Sequence, residues 1–104
     1  MSQVKATFLL PVQSNEGRAL AEELEEVERA CFIAFGAFTF SGYIKGTWRM
    51  ETGERKQDTS ALYWIIMDET DLPQLEKILM HFKKRVGQEA IYLEIERHVD
   101  VRFL

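Results

Sequence analysis

The stretch GYIKGTWRMETGERKQDTSALYWIIM, residues 42–67, decides the fold. It holds both tryptophans, a run of charges around Gly53, and an apolar run on either side of that charged centre. Upstream, Phe38, Phe40, Gly42, Ile44, Gly46, Trp48 and Met50 alternate with Thr39, Ser41, Tyr43, Lys45, Thr47 and Arg49. A period of two predicts a half-buried strand, with the first set facing the core. Gly42 and Gly46 mark expected bends or bulges. ETGERKQD, residues 51–58, reads as the connection of a hairpin. Ser60 to Met67 returns as a strand that is apolar on both faces: Tyr63, Ile65 and Met67 on one, Leu62, Trp64 and Ile66 on the other. Such a strand sits in the middle of its sheet or lies under a partner. The alternation leaves open which of its faces is buried, and so where Trp64 points.

The remaining elements follow by the same reasoning. Val4, Ala6, Phe8, Leu10 and Val12 alternate with Lys5, Thr7, Leu9 and Pro11 and predict a first strand that Pro11 closes. Ser14 or Asn15 is the expected cap of a helix. Leu20, Leu24, Val27 and Cys31 share one face of that helix, and Glu22, Glu23, Glu25, Glu26 and Glu28 form its solvated side. Gly36 ends it. A second helix opens at Asp71, with Gln74 three residues on as a capping-box pair and Pro73 in the first turn. Its buried stripe is Leu72, Leu75, Ile78, Leu79, Phe82 and Val86. Lys83, Lys84 and Arg85 suit its C-terminal dipole, and Gly87 suits the residue after it. A last strand runs from Ile91 to Phe103, with Tyr92, Glu94, Glu96 and His98 on its polar face.

The order is β-α-β-β-α-β, one domain over residues 1–104 without repeats or linkers. It resembles the ferredoxin-like, or split β-α-β, α+β plait. That resemblance implies an antiparallel four-stranded sheet ordered 4-1-3-2, with both helices on one face. Gly46 and Trp48 (G-x-W), Asp58 and Ser60 (D-x-S), and Gln88-Glu89 at the last strand are also similar to a group of small bacterial proteins of this fold. No activity carries over from that group.

Composition narrows the function classes. At 104 residues, 46% hydrophobic and 29% charged, the chain is an ordinary globular one. A net charge of −4 and a pI near 5.2 disfavour nucleic acid as a general partner. The lone Cys31 lies among apolar residues and reads as a small core hydrophobe. No run reaches the roughly 18 apolar residues of a membrane span, and the N-terminus lacks the pattern of a signal peptide, so a cytoplasmic protein with no membrane partner is expected. No spacing of His, Cys, Asp and Glu predicts a metal site, and no cofactor is implied.

Two helices leave one sheet face open. The expected residues of that face are Tyr43, Lys45, Arg49, Trp64, Tyr92, Glu94, Glu96 and His98, apolar in the middle, basic at one edge and acidic at the other. That pattern points to self-association, as a homodimer or larger, or to another protein partner. A pocket lined by Tyr43, Arg49, Glu94 and His98 at a subunit interface is the alternative, serving as a regulatory or small-enzyme site. A third reading is nucleic-acid contact through Arg55 and Lys56 at the hairpin tip. The sequence contains no nucleophile–base pair or phosphate loop, so it names no reaction.

Overall fold

The computed structural model describes residues 2–104. The elements run β1 (Gln3–Pro11), α1 (Ala21–Phe35), β2 (Thr39–Arg49), β3 (Arg55–Asp68), a 3-10 turn (Glu69–Asp71), α2 (Leu72–Val86) and β4 (Tyr92–Glu96). All strand pairs are antiparallel, and the sheet order is β2-β3-β1-β4. This is the ferredoxin-like plait that the element order implies.

The core occupies one side of the sheet. Val4, Ala6, Phe8 and Leu10 of β1 and Ala61, Tyr63, Ile65 and Met67 of β3 are buried against Val27 and Cys31 of α1 and Leu72, Leu75, Leu79, Phe82 and Val86 of α2. Both helices therefore lie on this side, and the parity of β3 is settled: Leu62, Trp64 and Ile66 point away from the helices. Phe8 stacks on Tyr63 with ring centroids 5.4 Å apart. The Tyr63 hydroxyl donates to Glu28 Oε2 at 2.6 Å, which satisfies the one polar atom this ring takes into the core. Cys31 is buried, and desolvation followed by the Glu28 charge lifts its thiol to about 11. It stays protonated at neutral pH and packs as an apolar residue.

Helix boundaries depart from expectation at two starts. Ser14 and Asn15 do not cap α1. The Ser14 hydroxyl accepts from the Arg18 N–H at 3.0 Å and its carbonyl accepts from Gly17, whose φ is +84°. A short turn thus precedes the helix, closed by the Gln13–Ala19 bridge, and α1 begins at Ala21 without a side-chain cap. Glu23 is not on the solvated face. Its side chain is 8% exposed and accepts from Arg18 at 2.7 Å, and that guanidinium holds its carboxyl below the usual range. Asp71 makes no capping bond either. Asp68 caps instead, accepting from the N–H and hydroxyl of Thr70 in the 3-10 turn. The two helix ends are as expected: Gly36 and Gly87 both take the left-handed conformation.

The hairpin is longer and tighter than the sequence suggests. Residues 55–59 belong to β3, and only Met50–Glu54 form the turn, with Gly53 at φ +88°. β2 and β3 make a ribbon that runs past the helices, and the molecule is 47 Å long against 26 and 23 Å in the other directions. β4 is shorter than expected, ending at Glu96. Lys5 pairs with Glu96, so β1 offers only two further residues before its own start at Gln3. Arg97 turns aside to an ion pair with Glu69, 2.5 Å away. Among the described residues no helix is long and apolar enough to cross a membrane.

Candidate functional site

Among the described residues no helix or strand covers the sheet face opposite the helices. Register fixes what stands on it, because residues directly opposite in an antiparallel pair share a face. Tyr92, Leu9 and Leu62 form one row; Glu94, Thr7, Trp64 and Thr39 form the next; Glu96, Lys5 and Ile66 form the third. The centre is apolar and the β4 rim is acidic. Lys5 lies with Nζ 5.0 Å from the centre of the Trp64 ring, a cation over the ring's negative face. The Tyr92 hydroxyl donates to Glu94 Oε2 at 3.3 Å, and the Glu94 charge, with some desolvation, raises the Tyr92 phenol. Of the expected face, then, Trp64, Tyr92, Glu94 and Glu96 are present together.

Tyr43, Lys45 and Arg49 are not with them. Phe40 pairs with Tyr63, but the next pair is Tyr43 with Ala61, so Ser41 and Gly42 together stand against Leu62. This is a β-bulge, with Gly42 at φ +102°. One extra residue reverses the parity of everything after it. Phe40 and Tyr43 therefore both lie on the helix side, with rings 5.1 Å apart, and Lys45, Thr47 and Arg49 follow on that side. Trp48 moves the other way. The expectation of a core tryptophan is overturned: Trp48 is 48% exposed, on the open side of the ribbon. Its indole N–H donates to Asp58 Oδ2 at 2.8 Å, and Lys56 Nζ sits 5.4 Å from its ring centre. Among the described residues no helix covers that end of the ribbon, so a side chain there meets its ribbon neighbours.

The hairpin-tip pair also divides. Arg55 pairs with Arg49 on the helix side, and Lys56 pairs with Trp48 on the open side. They are adjacent in sequence but belong to opposite surfaces. His98 lies beyond the end of β4, in the wall of a cavity of 760 Å³ that it shares with Phe35, Asp68, Asp71, Arg97 and Asp100. The pocket expected from Tyr43, Arg49, Glu94 and His98 is thus not assembled within one chain. A second cavity of 530 Å³ lies between α1 and α2 and includes His81 and the ion pair of Arg85 with Glu26. Among the described residues no three His, Cys, Asp or Glu side chains group to hold a metal ion.

Sequence reasoning missed the bulge. Its available signal was the aromatic Tyr43 three residues after Phe40 with Gly42 between them, a spacing that breaks strict alternation.

Comparison with known proteins agrees on architecture. No family model matches the chain and no curated protein matches it. The fold is similar to CutA1 from the psychrotrophic bacterium Shewanella sp. SIB1, with a TM-score of 0.75 at 12% identity, covering 97% of this chain and 85% of that one. It is similar to the divalent cation tolerance protein CutA1 from Thermus thermophilus, with a TM-score of 0.69 at 12% identity over 96% and 87% of the two chains. A phage SAM lyase in complex with S-methyl-5′-thioadenosine also shares it, with a TM-score of 0.70 at 11% identity over 92% and 81%. At such identities the likeness is one of fold: the chain is a ferredoxin-like α+β protein.

Proposed function

We propose that this is a small accessory protein that works by self-association, and that the open sheet face is covered by another copy. The observation that carries the reading is Trp64. It stands half-buried on the open side of a four-stranded sheet, with Leu9, Leu62 and Ile66 around it, and among the described residues no helix or strand covers it. A contiguous apolar centre with a polar rim is the usual anatomy of an association surface, and a central tryptophan is the residue type that anchors one. The Lys5 ammonium lies over the ring, 5.0 Å from its centre, and adds a polar group at the edge of this apolar centre. The CutA1 proteins, one of them named for divalent cation tolerance, support the accessory class through shared architecture, and no metal-binding role is taken from that name.

Size-exclusion chromatography with light scattering tests it. The wild-type chain is expected at a multiple of 12.1 kDa. Trp64→Glu is expected to weaken assembly by about 30-fold or more, the scale of a central anchor. The same variant keeps its circular dichroism spectrum, because Trp64 is outside the core cluster. A wild-type chain at monomer mass throughout the micromolar range overturns the reading.

A further inference from the structure

The least comfortable arrangement on the surface is a pair of arginines. Arg49 and Arg55 stand directly opposite each other across β2 and β3, on the helix side of the ribbon and beyond the helices. Side chains so placed start about 5 Å apart, and like charges there repel. Among the described residues neither guanidinium lies within ion-pairing distance of a carboxylate, although the chain carries 17 acidic side chains. Both arginines are exposed. A protein of net charge −4 that leaves two fixed cations side by side and unpaired has a surface suited to two anionic groups.

Two such groups are available on the chain itself, at a place its own ribbon cannot reach. Glu94 and Glu96 occupy successive open-face positions of β4, about 7 Å apart by strand geometry. They rim the face that carries Trp64. β4 and the ribbon edge are at opposite margins of the sheet, since the order is β2-β3-β1-β4. The bulge at Ser41–Gly42 also sends the arginines to the other side from the glutamates. Within one chain the two pairs cannot meet. Between two copies they can, because the ribbon projects from the end of a molecule 47 Å long.

We propose that Arg49 and Arg55 on the ribbon of one copy dock onto Glu94 and Glu96 at the rim of the open face of the next. The inference rests on the self-association read from Trp64 and deepens it, by naming which part of the neighbour arrives. Arginine suits the contact, since its planar fork takes a carboxylate through two hydrogen bonds. The contact is heterologous: the donating and the receiving surfaces differ, so each copy gives its ribbon to one neighbour and its face to another, and a ring results if the rotation closes. Tyr43 and Lys45 lie on the same side of the ribbon, nearer the sheet, and are carried toward the receiving face with the arginines.

Charge reversal tests the pairing. Arg49→Glu with Arg55→Glu is expected to reduce assembly tenfold or more in light scattering at low salt. Glu94→Arg with Glu96→Arg is expected to do the same. A chain carrying all four substitutions is expected to recover the wild-type mass, and an equimolar mixture of the two double variants to form mixed assemblies. All four positions are exposed, so the variants test contact rather than folding, and circular dichroism checks that each keeps its structure. Wild-type assembly is expected to weaken as salt rises, through screening. If the arginine double variant assembles like the wild type, or the fourfold variant fails to recover, the docking is overturned while self-association through Trp64 stands. If the wild type is a monomer, both fall. If the arginine variant loses only its retention on a heparin or DNA column and assembles unchanged, the docking is likewise overturned and the pair serves a polyanion.

Discussion

Between Thr39 and Asp68 one pair of strands passes through two environments. At its inner end Tyr63 is buried beneath the helices among Phe8, Phe38 and Phe40, and its partner Phe40, at the sheet margin, is 43% exposed. At its outer end Trp48 pairs with Lys56 and Arg49 with Arg55, and nothing but solvent lies above either face. The backbone ladder is the same in both halves. What differs is whether a helix lies opposite, and that decides how deeply an aromatic side chain such as Tyr63 can be buried. An apolar pattern along a strand therefore states which side a residue faces; it does not state whether anything is there to meet it.

The sharpest way to break this comparison is truncation at matched aromatics. Phe8→Ala empties a fully buried site between β3 and the helices and is expected to cost about 3–5 kcal/mol. Trp48→Ala removes a larger ring from the ribbon, yet only one exposed hydrogen bond and one cation–π contact go with it. Its expected cost is below about 1 kcal/mol. Urea denaturation of the two variants, followed by circular dichroism, checks the ordering. A Trp48→Ala variant as unstable as Phe8→Ala would mean that the ribbon is packed against something.

A second comparison sits at the boundary of the two halves. Gly42 and Gly46 are both open positions where an added Cβ touches nothing within 4 Å. Only Gly42 has a positive φ, +102°. Gly42→Ala is therefore expected to cost about 1–3 kcal/mol through backbone strain alone. Gly46→Ala is expected to be neutral or to stabilise by about 0.5–1 kcal/mol, through lost freedom of the unfolded chain. Thermal melts of the pair read the difference, and equal effects would remove the bulge as the element that sets the ribbon's parity.

That bulge also marks where the sequence stopped being readable. The first strand and the stripe of α2 are legible because each faces a core that enforces a period, and the stops at Gly36 and Gly87 because a left-handed helix end favours glycine. Past Phe40 the set Gly42, Ile44, Gly46, Trp48 continues the same period with small or apolar residues, so the one inserted residue shows only in the spacing of Tyr43 from Phe40. The half of the site on β3 and β4, Trp64, Tyr92, Glu94 and Glu96, stands on the open face as its alternation implies, because no bulge intervenes there. The half on β2, Tyr43, Lys45 and Arg49, was assigned to the wrong face for want of that one residue. The start of β3 at Arg55 was hidden for a related reason: a strand that faces water on both sides has no apolar alternation to show. The last eight residues reversed the error. They alternate as a strand would, but β1 is not long enough to pair with them.

The smallest expected effect distinguishes the halves by pH. Cys31 and Tyr63 belong to the packed half, and burial is the first cause of the upward shift in both. In the unfolded chain their protons leave near 9.0 and 10.0; in the fold the thiol holds its proton to about 11 and the phenol is held higher still, with Glu28 adding to the shift. Above pH 9 the folded state therefore binds more protons than the unfolded one. The unfolded chain gives up its protons first and gains the free energy of ionisation, so the fold loses stability as pH climbs through 9 and beyond. Below pH 9 both states are protonated at these groups and the slope vanishes. Cys31→Ala is expected to flatten the part of the decline between about pH 9 and 11. Tyr63→Phe forfeits about 1 kcal/mol at neutral pH with the hydrogen bond to Glu28, and flattens the decline above pH 10. Trp48→Phe, on the ribbon, shifts the whole curve without changing its shape. Urea midpoints collected from pH 7 to 11 separate the three, and an alkaline limb unaltered in both Cys31→Ala and Tyr63→Phe would place its origin outside the packed half.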